Sequence, residues 1–240
     1  MTLDERLWKA FNKAMGQYQL ISDGDHVLLG LSGGKDSLML TEFMARRARI
    51  LKPRFNVTAI HIRMQNVSYE TDTTYLQTFC DNLGVPLHIV TTAFPTDDTQ
   101  SQHPKPPCFL CSWQRRKLMF NHAQDMGCSK IALGHHQDDI IHTALMNLMF
   151  QGHFATMPVS LRMRKMPLTI IRPLCLCRET DIQAYAEAHH YEKQVKLCPH
   201  EHATNRTTAA AMFAQMERMN PEARYCIWSA LEADRKLVEY

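Results

Sequence analysis

The sequence has no long apolar run, no apolar segment behind its first residues and no internal repeat. A helix that crosses a membrane needs about 20 apolar residues in succession, and a secretory signal needs an apolar core near the N-terminus, so we expect neither. Cysteine is sparse for a disulfide scaffold, with 8 in 240 residues, and the chain is long enough to bury a core without cross-links. We therefore expect a reducing cytoplasm, where cysteine serves metal binding or catalysis more often than a disulfide.

The sequence also has only a small excess of positive over negative charge. The net charge is +3, with 21% charged and 45% hydrophobic residues, a composition typical of globular proteins. This small positive excess is compatible with a nucleic-acid partner but does not by itself indicate one.

Predicted strands and helices alternate along the first two thirds of the chain. Apolar runs predict strands, and apolar residues at helical spacing predict the helices that follow them. This alternation indicates an α/β fold, an open parallel sheet of about five strands with helices on both faces. The predicted strands are 27–31, 57–62, 87–91 and 130–133, and the helices between and after them are 35–50, 71–83, 108–126 and 138–150.

The last third of the chain lacks this alternation of predicted strands and helices. Residues 157–172 mix Pro, Arg and Met and predict a loop or hairpin at the edge of the domain. Three helical stretches, 179–190, 204–219 and 221–238, then predict a small helical appendage.

The motif SGGKDS at residues 32–37 follows the first predicted strand and opens a helix. Helix N-termini bind anions, and paired glycines let the backbone approach a phosphate closely. The spacing fits neither the Walker A loop nor the dinucleotide-binding Gly-x-Gly-x-x-Gly loop. A plain strand–turn–helix junction is the alternative. The residues of this candidate phosphate loop are Ser32, Gly33, Gly34, Lys35, Asp36 and Ser37.

Cys108 and Cys111 form a Cys-x-x-Cys pair at the start of a predicted helix, a position that suits metal ligation. A zinc ribbon would need a second such pair, and the sequence has none. A thioredoxin-like redox pair is disfavoured because this one follows the third strand. An iron–sulfur cluster with a remote further ligand is the third interpretation, and Cys198 is the best remote candidate.

The other five cysteines carry weaker signals. Cys80, Cys128 and Cys226 fall on apolar helix faces or at helix ends, so we expect small buried side chains. Cys175 and Cys177 have a spacing that is poor for chelation, and the sequence offers no role for them.

The motif GHHQDD at residues 134–139 follows a predicted strand and begins a helix. Ligands in open α/β sheets bind at the carboxyl ends of strands, and the adjacent carboxylates of Asp138 and Asp139 could coordinate Mg²⁺. Capping of the helix N-terminus is the alternative role, and the two roles can coexist.

The hexapeptide at 32–37 resembles the signature of the PP-loop, or N-type, ATP pyrophosphatases. The order of this loop, the Cys-x-x-Cys pair, GHHQDD and a late cysteine resembles the tRNA 2-thiocytidine synthetase family over roughly residues 20–232. The resemblance implies an adenine nucleotide alpha hydrolase-like fold. Apolar residues at helical spacing predict an N-terminal helix in segment 1–24. We further expect an ATP-binding domain carrying the cysteine pair at 25–175 and a C-terminal helical region with the third cysteine at 176–240.

The resemblance further implies the site and its cofactors: ATP, Mg²⁺ and a 4Fe–4S cluster. Residues 32–37 would bind the ATP phosphates. The expected cluster ligands are Cys108, Cys111 and Cys198. The expected nucleotide contacts outside the loop are His61, Gly134 and His135, and the expected catalytic residues are Lys35, Asp36, Asp138 and Asp139.

The activity that the resemblance implies is tRNA thiolation. ATP would adenylate cytosine O2, sulfur would replace that oxygen to give 2-thiocytidine, and AMP and pyrophosphate would be released. The implied partners are tRNA and a sulfur donor such as a cysteine desulfurase, with no membrane and with a homodimer left open. Thiolation of another base or a small metabolite is the first alternative, and a non-catalytic iron–sulfur redox sensor is the second.

Two segments without acidic residues, 103–117 and 160–172, are the candidate RNA-binding surfaces. The second includes Arg172. Trp113 lies within the first, where it could stack a base, although burial in the core is the favoured expectation.

Overall fold

A computed structural model describes residues 1–66, 72–93, 107–192 and 205–239. The chain divides into two compact units. Unit I comprises residues 1–22, 132–190 and 203–240, and unit II comprises residues 23–131 and 191–202.

The described residues form eight helices and seven strands. In chain order they are α1 Leu3–Gln17, β1 Asp25–Gly30, α2 Lys35–Ala48, β2 Phe55–Met64, α3 Thr73–Leu83, β3 Leu87–Thr92, α4 Pro107–Asp125, β4 Lys130–Ala132, α5 Gln137–Gln151, β5 Ser160–Arg162, β6 Thr169–Ile171, α6 Glu179–Ala188, α7 Asn205–Met219, α8 Ala223–Ala233 and β7 Val238–Glu239. Among these helices, none combines the length and the apolarity that a bilayer span requires.

Unit II is the α/β part, with strand order β3-β2-β1-β4. β1 pairs with β2 in parallel, and β2 pairs with β3 in parallel. β1 lies in the core of this order: Val27, Leu28 and Leu29 are fully buried, as expected for a strand covered on both faces. The carboxyl ends of β1, β2 and β3 therefore point the same way, and the candidate phosphate loop follows the end of β1.

Unit I combines helices with the three short strands β5, β6 and β7. β5 and β6 form an antiparallel hairpin, and β7 pairs with β5 in parallel. The last residue of β4 belongs to this unit, and the Leu133 N–H just after it donates to the Ile171 carbonyl of β6 at 3.0 Å. Helix α1 begins with a capping box between Thr2 and Glu5.

The predicted fold class is confirmed, with two more strands in the described residues than the expected five. Residues 157–172, predicted as a loop or hairpin, form the β5–β6 hairpin, and β7 was not predicted. The predicted helix 221–238 is too long. It ends at Ala233, because Arg235 adopts a positive φ of 54° and the Leu237 carbonyl accepts the Val159 N–H at 2.7 Å.

The expected burial of three cysteines is confirmed for two of them. Cys80 and Cys128 are buried, but Cys226 is exposed. The buried side chains of α8 include Trp228 and Leu231. Position 226 lies about 200° around the helix from position 228, so its side chain faces away from them. The three segments 1–24, 25–175 and 176–240 remain a prediction.

Gly84 ends α3 in a left-handed conformation, with φ 69°, and a Cβ atom there would meet nothing within 4 Å. We expect Gly84→Ala to lower the free energy of unfolding by about 1 kcal/mol, because an L side chain is strained in this conformation. Urea denaturation of the purified protein measures the change.

Gly16 in α1 is the matched control, since a Cβ atom there also meets nothing within 4 Å. Gly16→Ala should leave the stability unchanged or raise it by up to about 1 kcal/mol, because alanine favours helix. Equal losses in the two variants would contradict the role assigned to the Gly84 conformation.

Candidate functional site

The candidate phosphate loop connects β1 to α2 in unit II. Gly33 has φ 84°, a conformation that only glycine adopts without strain. Gly34 is the N-cap of α2 and supplies no side-chain cap. An anion can therefore take the place that a capping side chain fills in most helices.

Two serine hydroxyls hold the loop in shape. The Oγ atoms of Ser32 and Ser37 lie 3.1 Å apart, and the Ser37 hydroxyl donates to the Gly34 carbonyl at 2.8 Å. The Ser32 N–H donates to the Ser37 Oγ at 3.1 Å. These bonds close the turn with its own side chains, so its shape is set before any ligand arrives.

Lys35 and Asp36 supply the charges of this loop. The Lys35 ammonium lies 3.3 Å from the Asp36 carboxylate, and both side chains are partly exposed. The cation stands at the first residue of α2, next to the positive end of the helix dipole. The structure thus brings together all six residues predicted for the phosphate loop.

His61 is 4% exposed on β2. Its Nδ1 lies 2.8 Å from the carbonyl oxygen of Leu31. Because a carbonyl only accepts, Nδ1 carries the hydrogen. His61 therefore contacts the backbone residue just before Ser32 and supports the start of the loop.

The cysteine pair lies in the first turns of α4. Cys108 is exposed and Cys111 is half-buried, and three residues of helix place their side chains on one face. Pairing on one face suits two ligands of one cluster. Cys198 lies outside the described residues.

Trp113 was expected in the core, and this expectation is wrong. Its side chain is 47% exposed, and the Lys117 ammonium lies 5.1 Å from the centre of its ring. The burial of α4 is confined to Met119 and Ala123 among its described residues. Trp113 precedes this part of the helix, which explains its exposure.

Residues 134–139 connect β4 to α5 within unit I. His136 is the N-cap of α5: its Nδ1 accepts the Asp139 N–H at 3.4 Å, and the Asp139 carboxylate accepts the His136 N–H at 3.1 Å. The N-cap is therefore His136 and neither of the aspartates considered for that role, and Asp139 takes the reciprocal N3 position of the capping box. The other carboxylate oxygen of Asp139 accepts a hydrogen bond from Arg206 of α7.

Asp138 is buried and accepts hydrogen bonds from two other helices of unit I. Its Oδ1 accepts from Arg224 of α8 at 2.7 Å, and its Oδ2 accepts the Glu179 N–H at the start of α6 at 2.8 Å. Burial alone would raise the pKa of Asp138, but these hydrogen bonds and the Arg224 charge outweigh it and lower the pKa below its ordinary value. The same guanidinium donates from Nε to Glu217 at 2.9 Å.

His135 is held by an arginine that was expected elsewhere. Arg172 is 7% exposed, so it is not part of an RNA-binding surface, as predicted for segment 160–172. Its Nε donates to the His135 Nδ1 at 3.2 Å, and its other end donates to the Pro158 carbonyl. Burial and the Arg172 charge lower the pKa of His135 to about 4, so the imidazole is neutral at physiological pH.

Sequence reasoning missed Arg172, Arg206 and Arg224 as members of this cluster. Arg172 carried a local signal, since it directly follows a strand, at the edge where ligands bind. Arg206 and Arg224 carried none, because they lie 67 and 86 residues from the aspartates they bind.

The residues predicted to bind Mg²⁺ and those predicted to bind the iron–sulfur cluster differ in how well they fit these two groups. The described residues contain no group of three or more His, Cys, Asp or Glu side chains arranged for a metal ion. Each carboxylate oxygen of Asp138 and Asp139 already accepts a hydrogen bond, so Mg²⁺ there would share these oxygens with N–H donors. The Cys108 and Cys111 pair fits an iron–sulfur cluster that draws further ligands from elsewhere.

Comparison with known proteins gives the family. Residues 3–209 match the model of the PP-loop domain. The chain belongs to the PP-loop family. The resemblance drawn from residues 32–37 is thereby confirmed.

Two relatives of this PP-loop protein are tRNA-cytidine(32) 2-sulfurtransferases. The protein from Pseudomonas syringae pv. tomato is 32% identical over 99% of this chain and 89% of its own length. The protein from Alkalilimnicola ehrlichii is 33% identical over 100% of this chain and 78% of its own length.

Solved structures share the fold of this PP-loop protein. The U34-tRNA thiolase NcsA from Methanococcus maripaludis, with its 4Fe–4S cluster, superimposes with a TM-score of 0.77 and 24% identity, over 99% of this chain and 80% of that one. The NH3-dependent NAD synthetase from Campylobacter jejuni reaches a TM-score of 0.51 at 14% identity, over 98% of this chain and 96% of that one.

The low pKa of His135 predicts an acid-sensitive fold. Between pH 4 and about 6.5 the unfolded chain binds a proton at this histidine that the folded chain does not, so stability falls as the pH is lowered through that window. His135→Gln retains an acceptor for Arg172 and should flatten this part of the profile, measured by urea denaturation at each pH. The exposed His153 is the control: His153→Gln should keep the wild-type slope, and an equally steep profile in His135→Gln would contradict the assignment.

The buried pair of Asp138 and Arg224 predicts a large loss when only the cation is removed. Arg224→Leu should lower the free energy of unfolding by about 3 kcal/mol, because it leaves a buried carboxylate uncompensated. Adding Asp138→Asn should recover part of the loss in a double-mutant cycle. Arg218→Leu, at an exposed position of α7, should change little, and a double variant with no recovery would contradict the pairing.

Proposed function

We propose that this PP-loop protein is an ATP-dependent tRNA sulfurtransferase that converts cytidine 32 of tRNA to 2-thiocytidine. The observation that carries the proposal is the joint presence in unit II of a preformed phosphate loop and a Cys-x-x-Cys helix. Identity of 32% to tRNA-cytidine(32) 2-sulfurtransferases over nearly the whole chain supports the choice of base and position.

The phosphate loop would bind ATP by its pyrophosphate end. The N-terminus of α2 presents the positive end of its dipole there, and Lys35 adds a full charge. Cytosine O2 then attacks the α-phosphorus, the bond to the bridging oxygen breaks, and pyrophosphate leaves. Stabilising the charge on that leaving group is the contribution of the loop, with Mg²⁺ as the usual partner of the ATP phosphates.

Sulfur replaces oxygen in the second half of the reaction. A sulfur nucleophile attacks C2 of the adenylated base, and the C2–O2 bond breaks with AMP as the leaving group. Cys108, Cys111 and Cys198 would hold a 4Fe–4S cluster, which when bound supplies an iron that no protein thiolate occupies. The neutral His135 offers a hydrogen-bond donor at Nε2, since Nδ1 accepts from Arg172.

The proposal includes partners and a setting. Sulfur would come from a donor such as a cysteine desulfurase, and the reducing cytoplasm would keep the cysteine ligands as thiols. The protein would act as a monomer or as a homodimer, and these two oligomeric states differ in mass by the 27.7 kDa of one chain.

Nucleoside mass spectrometry of tRNA tests the reaction. Cells that lack this protein should lose 2-thiocytidine and regain it with the wild-type gene. Loss of 2-thiouridine with 2-thiocytidine unchanged would overturn the choice of base, and an unchanged profile would overturn tRNA thiolation altogether.

Variants separate the two halves of the chemistry. We expect Lys35→Ala to lower ATP-dependent pyrophosphate release by about a hundredfold or more, because it removes the charge that faces the leaving group, with bound iron unchanged.

Cys111→Ala should remove cluster absorbance and thiolation with ATP binding intact. The exposed Cys226 provides the matched control, and Cys226→Ala should match wild type in all three measurements; full absorbance in Cys111→Ala would rule out the cluster assignment.

A further inference from the structure

Helix α4 exposes two aromatic side chains in its first two turns. Phe109 is 48% exposed and Trp113 is 47% exposed. They are four residues apart, so they lie on one face of the helix, and Lys117 continues that face by a further turn. Together the two rings form a contiguous exposed apolar patch, a feature that marks interaction surfaces and ligand-binding sites.

The charge around these rings selects the kind of ligand. Residues 107–124 contain three consecutive cations at 115–117 and no Asp or Glu. The Lys117 ammonium lies 5.1 Å from the centre of the Trp113 ring, within range of a cation–π interaction. A polyanion with flat apolar faces matches this combination, and single-stranded RNA is such a polyanion.

The surface is carried on a fixed helix. The Gln114 side chain donates to Thr92 Oγ1 of β3 at 3.3 Å, and Met119 and Ala123 anchor the second half of the helix in the core. Trp113 follows Cys111 by two residues, about 3 Å along the helix axis. Because two residues span about 200° around the axis, a base stacked on Trp113 would lie at the level of the cysteine pair but on a different face of the helix.

We propose that the aromatic stripe, defined as Phe109, Trp113 and Lys117, stacks an unpaired base of the RNA substrate, while Arg116 contacts its backbone. The stripe rests on the proposed function for the identity of its ligand and adds the element that positions the RNA. Trp113 is a positioning residue, since stacking orients the strand without touching the reacting atoms.

Binding of two RNAs by the full-length protein tests the stripe. The probes are a fluorescein-labelled RNA stem–loop with an unpaired cytidine in its loop and a labelled RNA duplex of equal length, both followed by anisotropy. Trp113→Ala should weaken binding of the stem–loop by about tenfold, as expected for one lost stacked base, and binding of the duplex by less than about twofold. Trp113→Phe should restore most of the affinity.

Phe150 on α5 is the matched control, an aromatic side chain that is 50% exposed with no cation among residues 137–152. Phe150→Ala should bind both RNAs as wild type does. Tryptophan fluorescence gives a second readout: the stem–loop should quench the wild-type signal, and this quenching should be lost in Trp113→Phe, which keeps an aromatic ring at this exposed position.

The outcomes separate the stripe from the proposed function. Wild-type affinity for the stem–loop in Trp113→Ala, with quenching retained in Trp113→Phe, would overturn the stripe and leave tRNA thiolation standing. Failure of the wild type to bind either RNA, alongside loss of 2-thiocytidine in cells without the protein, would overturn the stripe alone. A change from dimer to monomer in Trp113→Ala by size-exclusion chromatography would assign the stripe to a second copy of this chain and overturn the RNA proposal.

Discussion

The buried carboxylate of Asp138 is the charge on which the arrangement of unit I depends. A carboxylate in this setting is costly unless each oxygen is hydrogen-bonded. Arg224 satisfies one oxygen and the first N–H of α6 satisfies the other. One side chain at the start of α5 therefore sets the positions of α6 and α8, two helices that follow it by 40 residues or more in the chain.

In unit II, backbone conformation and hydrogen bonds fix the phosphate loop, whereas a buried ion pair fixes the helices of unit I. The turn after β1 needs a left-handed residue at Gly33, and the hydroxyls of Ser32 and Ser37 close it. His61 fixes the residue before the turn through the Leu31 carbonyl. The N-terminus of α2 is thereby held in one orientation, which is the condition for binding a phosphate without a further rearrangement.

Local patterns predicted most of the fold and only part of the site. The apolar run at 27–31 and the motif at 32–37 predicted β1 and its loop because the signals lie in adjacent residues. The motif at 134–139 predicted the start of α5 but not its cap, since histidine at position 136 is an unusual N-cap. Trp113 was expected in the core, whereas the core of unit II reaches α4 only from Met119 onward. Arg172 was grouped with surface cations because charge along a sequence does not tell which side chain is buried.

The sequence by itself determined the alternation of strands and helices, the phosphate loop and the family, because each is encoded in residues close together in the chain. Tertiary structure alone decided that Arg224 and Arg206 neutralise Asp138 and Asp139, that Arg172 keeps His135 neutral, and that the rings of α4 face outward. These facts depend on which distant segments pack together and on how much water each group loses. Desolvation and long-range pairing are properties of the folded chain, and adjacent residues alone do not encode them.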